Sequence, residues 1–65
     1  MTYTIRSKDR TQSVYTSRKN FRQYALEDGK AYDAELFRTH SKDTAYEVWQ
    51  MVGGDYGEFE IVEDD

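Results

Sequence analysis

One histidine, thirteen carboxylates and no cysteine bound the chemistry open to this chain of 65 residues. Nucleophilic catalysis needs a base beside its nucleophile, and His40, in Arg38-Thr39-His40-Ser41, is the one imidazole. It stands directly before a helix start, where a histidine supports the cap or faces solvent. Cysteine nucleophiles and Cys/His zinc sites are excluded by composition. Carboxylates are plentiful, but so short a chain can hardly wall off a substrate cleft of about 300–1,000 Å³. Gly53-Gly54-Asp55-Tyr56-Gly57 follows a helix instead of a strand and lacks the Lys-Ser/Thr ending of a phosphate loop, so it reads as a helix stop and a turn. Asp55, Glu58, Glu60, Glu63, Asp64 and Asp65 lack the spacing of a calcium loop. The expectation is a protein with no catalytic residues, no metal and no cofactor.

Binding chemistry is better represented. The net charge of −4 hides a division between the two parts of the chain. Through residue 22, Arg6, Lys8, Arg10, Arg18, Lys19 and Arg22 oppose Asp9 alone, a local charge of +5. Beyond it, Lys30, Arg38 and Lys42 oppose twelve carboxylates, a local charge of −9. Such asymmetry predicts two electrostatic faces. Carboxylates displayed on a strand, a helix start and a tail can imitate a phosphate backbone and enter a basic groove, with fast and salt-sensitive association. Asp43, Glu47, Glu58 and Glu60 are the candidates for that acidic face. The partner expected is a protein, such as a nucleic-acid-handling machine met by a small regulator or inhibitor of the kind phages and mobile elements encode. The alternative is a nucleic-acid interface on the basic, aromatic N-terminal hairpin, where Arg6, Lys8, Arg10, Arg18, Lys19 and Arg22 grip phosphates and rings such as Tyr15 stack on bases. A chain pI near 4.8 weighs against it.

The elements that position these residues follow from periodicity. Tyr3-Thr4-Ile5-Arg6 alternates, Ser7–Arg10 is a polar turn, and Gln12–Thr16 alternates around Val14. Residues 2–16 therefore form an antiparallel hairpin with Tyr15 on the face opposite Val14. Residues 17–28 admit helix or strand. Strand is favoured, because Arg18-Lys19 at the start and Glu27-Asp28 at the end would both oppose a helix dipole. A turn at Glu27-Asp28-Gly29 then sends Ala31–Arg38 back beside it, with Tyr24 opposite Tyr32 and Arg22 opposite Ala34. Ser41 caps a helix over residues 42–52, whose Ala45, Val48, Trp49 and Val52 form one apolar stripe. Tyr56–Val62 is the last strand, with Phe59 and Ile61 on one face. Residues 63–65 form a frayed acidic tail.

The fold expected is a single α+β domain, residues 1–65, with a small antiparallel sheet of three to five strands packed on one main helix. Its core comprises Tyr3, Ile5, Val14, Tyr24, Leu26, Leu36, Ala45, Val48, Trp49, Val52, Phe59 and Ile61. Ten aromatic residues against eight Ile, Leu and Val mean that this core is built largely from rings, with tyrosines left over for the surface. Absent cysteine and the lack of any long apolar run predict a cytoplasmic protein with no membrane partner, the host-cell cytoplasm included. A core this small also makes homodimerisation an expectation.

Overall fold

The computed structural model describes residues 1–64. Strands β1 (Thr2–Ser7), β2 (Gln12–Ser17), β3 (Gln23–Glu27), β4 (Ala34–Leu36) and β5 (Phe59–Asp64) form one antiparallel sheet, and helix α1 (Lys42–Met51) packs on one of its faces. A short 3-10 turn, Gly54–Tyr56, links the helix to β5. This is the α+β architecture expected.

The β1–β2 hairpin is closed by side chains. Asp9 accepts from Ser7 Oγ at 2.6 Å, Thr11 N–H at 3.1 Å and Thr11 Oγ1 at 2.8 Å. These hydrogen bonds, from Ser7 first and then Thr11, hold the Asp9 carboxyl below its ordinary pKa. Ser7 is buried, and its hydroxyl also accepts from Gln12 N–H at 3.0 Å, so the burial leaves no orphan.

The strand order is β3-β2-β1-β5, with β4 paired to β2 off that path. β1 and β2 share only the Arg6–Ser13 register pair and then diverge. The segment from Ala34 to Thr39 fills the gap. Ala34, Glu35 and Leu36 pair with Ser17, Thr16 and Tyr15, Phe37 N–H donates to Val14 C=O at 2.9 Å, and Thr39 exchanges both backbone hydrogen bonds with Tyr3 at 2.8 and 3.1 Å.

This wedge corrects the expected second hairpin. Residues 23–27 are indeed a strand, but β4 pairs with β2 and not with β3. Tyr24 lies opposite Tyr15 instead of Tyr32, Ala34 lies opposite Ser17, and Arg22 belongs to the β2–β3 turn. The physical reason is that the splayed hairpin leaves β2 an unpaired stretch on its β1 side, and the wedge satisfies it.

Parity then decides the core. Val14 faces the helix and is paired with Ala25, so Ala25 points inward while Tyr24 and Leu26 point to the other face. Leu36, opposite Tyr15, goes the same way and yields its expected place to Phe37. The buried cluster is Ile5, Val14, Phe37, Val48 and Phe59, with Ala45 also buried and Ala25, Trp49, Val52 and Ile61 packed around it. Tyr3 is half-buried at its margin.

The helix begins and ends as its residues dictate. Ser41 Oγ accepts from Thr44 N–H at 3.3 Å, Asp43 sits in the positive first turn, and Val52 is the C-cap. Gly53 supplies the left-handed stop at φ 87°. The acidic tail is not frayed at Glu63 and Asp64. Both continue β5, opposite Tyr3 and Thr2, and Asp65 lies outside the described residues.

Candidate functional site

The two candidate surfaces are distributed differently from the charge along the chain. Asp43 and Glu47 stand one helical turn apart, both exposed, on the side of α1 turned away from Ala45, Val48 and the sheet. Glu60 pairs with Arg6, whose side chain belongs to the sheet face that the helix does not cover. Glu58 is exposed just before β5. The structure therefore brings Glu58 and Glu60 together and leaves Asp43 and Glu47 on the opposite side of the molecule.

Along the chain they are flanked by Asp55, Glu63 and Asp64, of which Asp64 shares the uncovered face of β5 with Glu60 and Glu63 alternates to the other. Five of the ten residues from Asp55 to Asp64 are carboxylates, the span contains no cation, and it ends in an edge strand. Sequence reasoning counted Glu63 and Asp64 as a frayed tail of the acidic surface and named neither among its contact residues. Alternation stops at Ile61-Val62, so the pattern gave no signal that Glu63 and Asp64 continue the strand, although polar residues do suit a solvated edge.

The basic residues also separate. Lys8 and Arg10 occupy the β1–β2 turn, whereas Arg18, Lys19 and Arg22 occupy the β2–β3 turn at the other end of β2. That second turn is well tied. Ser17 N–H donates to Arg22 C=O at 2.8 Å, Phe21 N–H to Ser17 C=O at 2.9 Å, and Arg22 N–H to Asn20 Oδ1 at 3.1 Å. It holds Phe21 at φ 58°, a left-handed conformation unusual for a ring-bearing residue, with 76% of the residue exposed. Arg18 reaches Glu35 at 3.5 Å in an exposed ion pair of small energetic weight.

Arg6 and Tyr15 belong to neither turn. They lie on the uncovered sheet face, in a concavity of about 390 Å³ whose rim includes Arg38 and Asp64. Asp28 joins them: Arg6 Nη2 approaches it at 3.3 Å and Tyr15 OH donates to it at 2.9 Å. Both residues are thus engaged internally and less available to phosphates than the turn cations.

Burial pushes the Asp28 carboxyl upward, but hydrogen bonds from Tyr15 and Ser13 and the charge of Arg6 outweigh it and leave the pKa below its ordinary value. The hydrogen bond to Asp28, followed by burial, raises the Tyr15 phenol. For a carboxyl depressed in the folded state, the stabilisation is fully present above the unfolded pKa of about 3.9 and is lost as pH falls through the folded one. Asp28→Asn is therefore expected to flatten the acid limb of the melting temperature against pH and to return Tyr15 towards ordinary phenol titration. Melts carried from neutral pH down through the carboxyl range read the first effect, and ultraviolet titration at alkaline pH reads the second. An unchanged acid limb would place the sensitivity elsewhere, with Asp9 the next candidate.

His40 spends one ring nitrogen on the backbone. Its Nδ1 lies 2.9 Å from Met1 C=O, an arrangement in which Nδ1 is the donor. Among the described residues, no three His, Asp or Glu side chains converge on a point that a metal ion could share, and no helix is long and apolar enough to cross a membrane.

Neither a family model, nor a curated protein, nor a solved structure matches the chain. The functional reading rests on its own geometry.

Proposed function

We propose that the protein is a non-catalytic regulator or inhibitor that docks its acidic surface onto a basic site of a protein partner. The observation that carries this reading is the run of carboxylates from Asp55 in the 3-10 turn and Glu58 before β5 to Glu60, Glu63 and Asp64 on that edge strand, a span with no cation of its own. Of the cations opposite these carboxylates, Arg6 is engaged by Asp28, whereas Lys8, whose N–H donates to Glu58 C=O, stands beside Glu58 and Glu60 with no ion pair among the described residues. Five carboxylates against Lys8 leave this edge net negative, and electrostatic complementarity there would speed encounter and fix orientation. Asp43 and Glu47, on the far side of the helix, contribute to the field without joining the contact.

Charge substitution tests the reading. Glu58→Lys is tolerated by an exposed position, whereas Glu60 is better neutralised to Gln, since a lysine there would face Arg6 across the strand pair. The double variant changes three units of charge. At roughly 0.5 kcal/mol for each rim charge, it is expected to weaken partner binding about tenfold and to reduce the salt dependence of association, with the melt preserved. The partner is obtained by affinity capture from the native cell, and equal affinity of wild type and variant for it would overturn the proposal.

A second reading has one specific observation in its favour. Phe21, strained and exposed among Arg18, Lys19 and Arg22, has the form of a stacking ring within a phosphate-binding turn. Nuclease treatment in the same capture separates the two: a nucleic-acid target disappears and a protein target remains.

A further inference from the structure

The backbone of β5 offers a more specific contact than its charge. Lys8 N–H donates to Glu58 C=O at 2.9 Å, so Ser7 and Phe59 form a pair that does not exchange hydrogen bonds across the ladder. Such pairs alternate along an antiparallel ladder, which makes Ile5–Ile61 and Tyr3–Glu63 pairs of the same kind. Tyr3 confirms the phase, because its own N–H and C=O turn away from β5 to Thr39. On β5 the groups turned outward are therefore those of Phe59, Ile61 and Glu63.

Phe59 C=O is already satisfied by Trp49 Nε1 at 2.9 Å. Among the described residues, nothing bonds the outward N–H and C=O of Ile61 or of Glu63. Beside them lies a shallow apolar recess of about 290 Å³, walled by Tyr46, Trp49, Phe59 and Ile61 and closed at its end by Lys8 and Glu60. The rings of Tyr46 and Trp49 pack with centroids 5.4 Å apart, and Tyr46 is half exposed.

We infer that β5 is a strand-addition site for an extended, Lys/Arg-rich segment of a protein partner, which pairs with Ile61 and Glu63 and sets an apolar side chain against Tyr46 and Trp49. This deepens the proposed acidic docking and rests on it. The occupant follows from complementarity. From residue 60 to residue 64, β5 presents acid, apolar, apolar, acid, acid. A strand laid alongside meets Glu60, Glu63 and Asp64 best with cations and Ile61 and Val62 best with aliphatic side chains. The same carboxylates disfavour a second copy of β5 in that place, since like charges would face each other. A basic strand escapes that penalty.

The probe is a capped hexapeptide, Lys-Lys-Val-Val-Lys-Lys, whose pattern fits either strand direction, added to the full chain and followed by amide NMR. A peptide of the same sequence with alternate backbone nitrogens methylated keeps the charge and loses the ladder. The expected result is saturable binding of the first peptide, with slowed amide exchange at Ile61 and Glu63, and binding of the methylated peptide weaker by about fivefold or more. Glu63→Pro removes an outward N–H and leaves the ladder to β1 intact, an edge position where proline is tolerated. It should reproduce the fivefold loss with the melt preserved, and Glu63→Gln should lose less. Equal affinity for both peptides overturns strand addition and leaves acidic docking standing. Failure of both peptides to bind overturns it as well, and the charge variants with the captured partner then decide the broader reading separately.

Discussion

Trp49→Ala is expected to cost about 3–5 kcal/mol and to remove most of the cooperative melt. The ring joins three parts of the structure. It packs against the buried cluster around Val48 and Phe59, its Nε1 anchors the edge strand through Phe59 C=O, and it lies under Gly54 in the turn that follows the helix. Folded domains are typically stable by about 5–15 kcal/mol in total, and one of this size sits towards the lower end. A loss of that magnitude leaves little. Trp49→Phe separates the contributions: it retains a ring and removes the donor, at an expected cost of about 0.5–1.5 kcal/mol for the hydrogen bond alone. Thermal melts followed by circular dichroism give both numbers. A melting temperature for Trp49→Ala within a few degrees of wild type would mean that β5 is held chiefly by its ladder to β1.

Much of this arrangement was legible in residue order. The hairpin announced itself through the alternation around Ile5 and Val14, and the helix through Ser41, the Ala45-Val48-Trp49-Val52 stripe and Gly53. What residue order did not reveal was the path of residues 31–39. A sequence cannot say that β1 and β2 splay apart after one register pair. Without that knowledge, the segment after Gly29 is naturally paired with its neighbour β3 instead of being placed between two earlier strands. The error carried into the core through parity, exchanging Ala25 for Tyr24 and Phe37 for Leu36.

The candidate site was legible in part for a related reason. Charge separation along the chain is visible at once, but charge separation in space depends on which face each element turns outward. Glu60 and Asp64 share the uncovered face of β5, Glu58 precedes the strand and Glu63 alternates to the helix side, while Asp43 and Glu47 are carried behind the helix because the apolar stripe must face the sheet. Lys8 and Arg10 are likewise parted from Arg18, Lys19 and Arg22 by the length of β2. The free edge of β5 needed the ladder phase, which no sequence pattern encodes.

Gly54→Ala isolates the turn that presents this edge. Gly53 already meets the demand for a left-handed residue, at φ 87°, and Gly54 makes no such demand. Its constraint is space, since a methyl group at Gly54 would overlap the indole of Trp49. The indole cannot yield freely, because its nitrogen is committed to Phe59 C=O and its ring to the core. The substitution is therefore expected to destabilise by about 1–3 kcal/mol or more, as overpacking does elsewhere. If the overlap is the cause, shrinking the obstacle should remove most of the penalty. Gly54→Ala introduced into Trp49→Leu should cost at least about 1 kcal/mol less than it does in the wild-type chain, a coupling measurable by a double-mutant cycle in urea. An additive cycle would show that the glycine is required by its backbone after all. A coupled one ties the 3-10 turn, the indole and the anchored end of β5 into a single unit that holds the edge strand extended.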